Sequence, residues 1–300
     1  MWPASGGDDA LEVGYTALSS RTVVRTVSAG PASGPPVLLL HGWGCSAFLF
    51  RHNLPALASA GYRAIAVDLK GHGCSDKPEG DGEYTLDTMT AHVLEILDAL
   101  ALPEAILIGQ SMGARIATEV ARRAPTRVRR LVLIAPVGIG EIQALALVRL
   151  AASPVLDAVA PRIVSRAVVR LALGIAYGRR GQVSVDAVEG YFAPLQYPEF
   201  PRVLQRVLRE FTWDPVPAAL LAEVRAPTLV VIGSRDVIVR FRRDDPLLSA
   251  REHLRVVWID GAGHAVNEEC PDEVNMAIVA FLNEGDRGGS RAAGLAGSKL

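Results

Sequence analysis

The pentapeptide Gly-Gln-Ser-Met-Gly at residues 109–113 places a serine where it could act as a nucleophile. It directly follows the apolar run 105–108 and precedes residues 114–124, whose composition favours a helix. A G-x-S-x-G turn between a strand and a helix is tight, needs small residues on both sides of the serine and leaves its hydroxyl exposed. The N–H groups at the start of such a helix favour developing negative charge. The pentapeptide alone is a weak signal, because glycine and serine are common residues.

Three further segments with reactive or hydrogen-bonding side chains also follow predicted strands. They are His-Gly-Trp-Gly at 41–44 after 37–40, Gly-Ser-Arg-Asp at 233–236 after 228–232, and Gly-Ala-Gly-His at 261–264 after 254–259. The carboxyl ends of parallel strands lie at one edge of a sheet, where open α/β folds bind their ligands. We therefore expect Ser111, Asp236 and His264 to converge at that edge.

Alternating strand and helix patterns predict the sheet that would position these segments. The runs 37–40, 64–67, 105–108 and 131–134 are continuously apolar, as strands buried on both faces are. Between them, residues 86–100 place apolar side chains at helical spacing. Repeated strand–helix–strand units predict an α/β fold with a mostly parallel, doubly wound sheet.

The pattern changes after Pro136, because the next 82 residues or so contain no convincing strand. Amphipathic helices are predicted at 141–152 and 155–173, and a segment rich in proline and aromatic residues follows them. We therefore divide the chain into a core of residues 1–136 and 219–284, a helical insertion of residues 137–218, and a disordered tail of residues 285–300 with almost nothing to bury.

Composition bounds the possible partners. The formal net charge of −1 and the pI of about 6.6 give no sign of a nucleic-acid or anionic-membrane partner. The three cysteines, Cys45, Cys74 and Cys270, have no C-x-x-C spacing, so neither a zinc site nor a redox motif is indicated. An odd, small number of cysteines fits a reducing compartment.

Targeting signals are weak. Residues 1–14 contain acidic residues and no basic segment followed by an apolar one, so we expect no signal peptide. Residues 26–50 carry no charge, but glycines and prolines interrupt them, which argues against a membrane span. The final Ser-Lys-Leu would be a peroxisomal address in a eukaryote, although chance explains it equally well. We expect a cytoplasmic protein.

The chain order Ser…Asp…His, together with these motifs, resembles the α/β-hydrolase superfamily, in particular its serine-nucleophile, esterase-like members with a helical cap. The resemblance covers roughly residues 20–136 and 219–284. It includes the loop 68–76, which is similar to the D-x-R-G-H-G-x-S loop of the family with Lys70 at the usual arginine position. The insertion lies where the family carries its cap.

The resemblance implies a role for each site residue. Ser111 would attack a carbonyl carbon, His264 would take the serine proton as general base, and Asp236 would hold the histidine tautomer and stabilise the imidazolium. The oxyanion would be bound by the backbone N–H groups of Met112 and Trp43. The resemblance implies no metal and no organic cofactor.

Other residues compete for these roles. Asp244 and Asp245 are alternatives to Asp236 but lie further from the strand end, and Asp68 is interpreted as a structural turn residue. Cys45 is interpreted as an inert thiol near the oxyanion loop. The other histidines are His41, His52, His72, His92 and His253, of which His41 is expected to support the oxyanion loop and His72 a turn.

We therefore predict a hydrolase of small-molecule carboxylic esters that forms an acyl-enzyme. Serine at position 111 argues against epoxide hydrolases and haloalkane dehalogenases of this fold, which carry aspartate there. A carbon–carbon bond hydrolase, a thioesterase and a cofactor-free haloperoxidase remain open, because fold does not fix reaction. A non-catalytic ligand receptor or scaffold is a further alternative, which the complete set of motifs disfavours.

The insertion suggests two features of the substrate or partner. Its helices are rich in Leu, Val, Ile and Ala, which indicates either an apolar acyl pocket under the cap or simple packing of the cap onto the core. Arg162, Arg166 and Arg170 are four residues apart and are expected to share one helical face. That face would suit an acidic carrier protein or an anionic substrate, or would be solvated surface.

Overall fold

A computed structural model describes residues 2, 11–143, 160–178, 183–244, 248 and 254–284. Eight strands form one sheet in the order β1-β2-β4-β3-β5-β6-β8-β10, and β7 pairs with β9 in a separate two-stranded sheet. The strands are β1 (Glu12–Ala17), β2 (Val23–Ala29), β3 (Pro36–Leu40), β4 (Arg63–Val67), β5 (Ala105–Gln110), β6 (Val128–Ile134), β7 (Glu141–Ile142), β8 (Thr228–Gly233), β9 (Val239–Arg240) and β10 (Leu254–Ile259). All neighbours from β4 to β10 in the large sheet are parallel, whereas β2 runs antiparallel to β1 and β4.

The helices of the described residues pack on both faces of this sheet or lie between β6 and β8 in the chain. They are α1 (Asn53–Ser59), α2 (Leu86–Ala99), α3 (Met112–Arg123), α4 (Ala160–Ile163), α5 (Arg166–Ala176), α6 (Val185–Leu195), α7 (Glu199–Glu210), α8 (Ala218–Ala222), α9 (Val266–Glu269) and α10 (Pro271–Asn283). The predicted α/β fold with a mostly parallel sheet is confirmed. Among the described residues, no helix is both long and apolar enough to cross a membrane.

The central strands are buried on both faces, which explains their continuous apolar runs. Alternate residues enter opposite cores: Leu38 and Leu40 pack in the cluster that contains α2 and α3, whereas Leu39 packs in the cluster that contains α1 and α10. Every residue of β5, the strand before Ser111, is buried. The serine turn therefore follows a strand that is buried along its whole length.

The helix predicted from residue 141 is wrong at its start. Residues Glu141–Ile142 form β7, which pairs antiparallel with β9, and residues 144–159 lie outside the described part of the chain. A two-residue strand is too short to leave a periodic signal in the sequence. Its partner β9 also comes almost 100 residues later, so no local pattern indicates the pairing. The predicted tail, 285–300, and the apolar cap residues between 144 and 159 also lie outside the described residues.

The three arginines expected on one helical face belong to two helices. Arg162 lies in α4, and Ser165 then adopts an extended conformation and caps α5 by accepting a hydrogen bond from the N–H of Val168. Serine is a strong N-cap residue, and its hydroxyl starts a new helix here. Arg166 forms an exposed ion pair with Glu189 of α6 at 2.5 Å, which links neighbouring helices of the insertion.

Candidate active site

Ser111 lies in a strained turn between β5 and α3. Its φ of 52° and ψ of −114° belong to a region that side chains other than glycine rarely adopt. Glycines 109 and 113 are required here, since a Cβ at Gly109 would come within 3.0 Å of Ala114 and one at Gly113 within 3.0 Å of the Leu40 carbonyl. Close backbone packing around the serine thus requires both glycines of the pentapeptide.

The structure brings Ser111 and His264 into hydrogen-bonding contact. Ser111 Oγ lies 2.9 Å from His264 Nε2, and both residues are buried, with 8% of each surface exposed. Ser111 follows β5, and His264 follows β10 at the far end of the sheet. The turn after β10 reaches back across the intervening strand ends to place the imidazole at the serine.

Asp236 completes the chain of contacts from the turn after β8. Its Oδ2 lies 2.8 Å from His264 Nδ1, and its Oδ1 accepts hydrogen bonds from the N–H groups of Ile238 and Val239 at 2.8 and 2.9 Å. A carboxylate only accepts, so the network assigns the imidazole proton to Nδ1 and leaves Nε2 to accept the serine hydroxyl. This arrangement can deprotonate the serine as it attacks an electrophile.

The segment 41–44 lies beside the serine. A Cβ at Gly42 would come within 3.0 Å of the Gln110 side chain and 3.1 Å from Ser111 Cβ, so only glycine lets the two turns approach this closely. Trp43 is partly exposed, and its indole N–H donates to the carbonyl of Leu204 in α7 at 2.9 Å. Met112 is the first residue of α3, where backbone N–H groups have no partner within the helix.

His41 supports this segment and does not reach Ser111 in any described hydrogen bond. Its Nδ1 donates to the carbonyl of Gly42 at 2.8 Å, and its Nε2 accepts from the N–H of Leu69 at 3.0 Å. Burial lowers the pKa of His41, which keeps the ring neutral and able to accept. The ring therefore ties the 41–44 segment to the 68–76 loop.

The loop 68–76 is organised by Asp68 as a structural residue. The fully buried carboxylate accepts from the N–H groups of Ala47 and Cys74 and pairs with Arg25 at 3.3 Å. Lys70, at the position usually held by arginine, has its ammonium 2.7 Å from Glu83. These contacts join the loop to Arg25 in β2, to Ala47 and to Glu83.

Gln110 is a supporting residue that sequence analysis missed. Its buried side chain donates to the carbonyl of His264 at 3.3 Å and also packs against Gly42. The x position before the serine gave no signal, because many residues occur there. Glu268 and Glu269 were also missed, because most of their partners are distant in sequence.

Comparisons with known proteins identify the family of this fold. A family model described as alpha/beta hydrolase fold matches residues 35–172. The chain is 31% identical over 276 residues to a haloalkane dehalogenase of Mycobacterium marinum, covering 85% of this chain and 87% of that one. It is 33% identical over 268 residues to the dihydrolipoyllysine-residue acetyltransferase component of an acetoin cleaving system of Pseudomonas putida, covering 87% of this chain and 67% of that one.

A solved structure shares this fold. A meta-cleavage product hydrolase from Pseudomonas fluorescens superimposes with a TM-score of 0.77 at 26% sequence identity, covering 91% of this chain and 98% of that one. The similarity of fold therefore extends over most of the chain.

Proposed function

Since the chain belongs to the α/β-hydrolase family, we propose that it is a serine hydrolase that cleaves carboxylic esters through an acyl-enzyme. One observation carries the proposal: the contacts Ser111 Oγ to His264 Nε2 at 2.9 Å and His264 Nδ1 to Asp236 Oδ2 at 2.8 Å form one continuous path. A hydroxyl in such a path has the base and the orienting carboxylate that nucleophilic catalysis requires.

The first half-reaction forms the acyl-enzyme. Ser111 Oγ attacks the ester carbonyl carbon while His264 Nε2 takes the hydroxyl proton, and Asp236 stabilises the imidazolium. The tetrahedral oxyanion accepts hydrogen bonds from the backbone N–H groups of Met112 and Trp43, each worth about a hundred- to thousand-fold in rate. The intermediate then expels the alkoxide, which takes the proton from His264.

The second half-reaction releases the acid. A water molecule attacks the acyl carbon as His264 takes one of its protons, a second oxyanion forms at the same donors, and Ser111 leaves with the proton from His264. All proton transfers run through one imidazole. The mechanism needs neither a metal nor an organic cofactor, which is part of the proposal.

Serine argues against the activity named for the similar dehalogenase. Attack of Ser111 on an alkyl halide or an epoxide would give an ether, which has no carbonyl carbon for water to attack. The enzyme would stop after one turnover. An ester instead gives an acyl-serine, which His264 can hydrolyse.

A carbon–carbon bond hydrolase is the second candidate, favoured by the similarity to the meta-cleavage product hydrolase. Such a substrate must release carbon, which is a poorer leaving group than alkoxide. Ester cleavage is the easier reaction, because His264 then returns its proton to an oxygen atom and not to carbon. A thioesterase and a haloperoxidase share the same nucleophile and are tested beside it.

The substrate class is proposed from the insertion. An apolar acyl pocket remains our proposal on the Leu- and Val-rich cap sequence. An acidic carrier protein is a weaker proposal, because Arg166 is already paired with Glu189 and the three arginines do not share one helix. A cytoplasmic location likewise remains a proposal.

A substrate panel tests the proposed function. We would assay p-nitrophenyl esters of increasing acyl length, a thioester, a vinylogous diketone and a bromoalkane with the wild type and the Ser111→Ala variant. We expect turnover of esters with medium or long acyl chains, at least about a thousand-fold lower in the variant. Activity on the diketone alone would replace ester cleavage by carbon–carbon cleavage, and Ser111-independent turnover would refute the role of the serine.

A further inference from the structure

Two consecutive glutamates, Glu268 and Glu269, end the short helix α9 directly after the histidine turn. Glu269 Oε1 accepts hydrogen bonds from two backbone N–H groups, that of Gly263 at 2.5 Å and that of Gly178 at 2.9 Å. Gly263 immediately precedes His264, and Gly178 follows the end of α5 in the insertion. One carboxylate oxygen therefore joins the insertion to the histidine turn.

The backbones on either side of this carboxylate are in direct contact. A Cβ at Gly178 would come within 3.0 Å of the backbone of Gly263, and a Cβ at Gly263 would collide with Gly178. The N–H of His264 donates to the carbonyl of Ala176, the last residue of α5, at 2.7 Å. The backbone N–H of His264 is thus bonded to the insertion, whereas its carbonyl accepts from the side chain of Gln110 in β5.

Glu268 also joins the insertion to the core near the histidine turn. Its side chain is fully buried, and its Oε2 accepts from the hydroxyls of Tyr191 at 2.9 Å and Tyr177 at 3.3 Å. Its Oε1 is paired with Arg51, which follows the short helix after the 41–44 segment. The tyrosines belong to the insertion and the arginine to the core, so the carboxylate connects the two.

Both carboxylates are occupied by these contacts, and neither touches Ser111 or the imidazole ring in any described hydrogen bond. The Glu268 carboxylate is buried, and burying a charge is unfavourable unless its oxygens are paired, as they are here by two hydroxyls and a guanidinium. Glu269 is half-buried and accepts from two backbone amides. Carboxylates paired in this way are useful where the junction must be held rigidly. Misplacing a catalytic group by about 1 Å can cost about a hundred-fold in rate.

We propose that Glu268 and Glu269 are positioning residues that tie the end of α5 to the histidine turn, so that the helical insertion holds His264 in line with Ser111. The proposal rests on the proposed function of Ser111 and His264. In this proposal the insertion positions the catalytic base in addition to covering the substrate. Changes in the insertion that break this junction are then expected to lower the rate of the chemical step without weakening substrate binding.

The test compares Glu269→Ala with Glu269→Gln in the full chain. Glutamine keeps an oxygen that can accept from Gly263 and Gly178, whereas alanine leaves both N–H groups unpaired. We expect kcat on the best ester to fall about tenfold or more in Glu269→Ala, with KM within about twofold, and to recover to within about threefold of wild type in Glu269→Gln. Tyr191→Phe, which removes one hydroxyl, should lower kcat in the same direction.

Glu189→Gln is the matched control, because it breaks the exposed ion pair with Arg166 in the same insertion without touching the histidine turn. We expect wild-type kcat and KM. Rates are divided by the folded fraction from circular dichroism, so that loss of fold is separated from loss of positioning. If Glu269→Ala lowers Tm but leaves kcat per folded molecule unchanged, or if Tyr191→Phe and Glu189→Gln are alike, the positioning proposal is overturned.

The two proposals fail separately. A wild type that neither turns over esters nor reacts with a fluorophosphonate at Ser111 removes the proposed function. A wild type that does both, with a Glu269→Ala variant of equal kcat, removes only the positioning role.

Discussion

His264 Nε2 lies 2.9 Å from Ser111 Oγ although 153 residues separate the two in the chain. The contact depends on two turns, one after the central strand β5 and one after the edge strand β10. Neither turn can form the contact alone, so the contact depends on the backbone that places the two groups as well as on the groups themselves.

Asp236→Asn should reduce kcat by about a thousand-fold or more. The amide oxygen can still accept from Ile238 and Val239, but an amide N–H cannot accept from His264 Nδ1, so the imidazole loses the tautomer that it needs. Steady-state ester hydrolysis measures this. Asp244→Asn is the control, since Asp244 is exposed and pairs with Arg242; equal losses in the two variants would contradict the role of Asp236.

Gly113→Ala should unfold or severely destabilise the protein. The new methyl group would collide with the carbonyl of Leu40 in β3, and the surrounding backbone belongs to the sheet and cannot yield. Gly174→Ala is the control, because open space surrounds Gly174 within α5, and it should stabilise by about 0.5–1 kcal/mol. Urea unfolding measures both, and a Gly113→Ala variant as stable as wild type would show that the turn is looser than the structure has it.

Acid should destabilise the fold through buried histidines. Burial and the nearby Lys70 lower the pKa of His92 to about 3, and its Nε2 accepts from the N–H of Lys70, which requires the neutral ring. Burial also lowers the pKa values of His41 and His72.

A lowered histidine pKa means that the unfolded chain binds more protons below about pH 6.5. The stability from each ring is therefore present above that pH and is lost as pH falls toward the folded pKa, by up to about 1.4 kcal/mol per pH unit for one ring. His92→Gln should reduce this slope between pH 6 and pH 4, whatever its effect at pH 7. An unchanged slope in urea titrations across that range would contradict the assignment.

Cys45 should be unreactive in the native protein. Burial, followed by the charge of Glu268, raises the pKa of its thiol to about 12, so almost no thiolate is present at pH 8. We expect alkylation by iodoacetamide at least about a hundred-fold slower in the native than in the urea-unfolded protein. Peptide mass mapping gives both rates, and fast native labelling at Cys45 would mean that the chain around the segment 41–44 opens.

The sequence predicted the elements whose signal is local. The runs before Ser111 and Asp236 are continuously apolar because β5 and β8 are buried along their whole length, whereas the edge strand β10 before His264 is only partly buried and includes Arg255. Each functional residue follows its strand directly or within five residues. A parallel sheet then brings the three turns to one edge without further information. The convergence of distant residues was predictable because topology supplies it.

Contacts between the insertion and the core left no such signal. Glu268 contacts Arg51 and Tyr191, which are 217 and 77 residues away in the sequence. Glutamate, arginine and tyrosine are all ordinary residue types on a protein surface. The break at Ser165 was missed because the apolar spacing continues across it, although a serine before a helix is itself a cap signal. Long-range pairing of polar residues has no period, so sequence patterns do not predict it.

Reaction with a fluorophosphonate probe tests the central claim most directly. The account predicts that the wild type is labelled at one site, that the modified peptide contains Ser111, and that Ser111→Ala is not labelled while it keeps the wild-type circular dichroism. A folded wild type that the probe leaves unmodified, or a Ser111→Ala variant labelled at the wild-type rate, would contradict it.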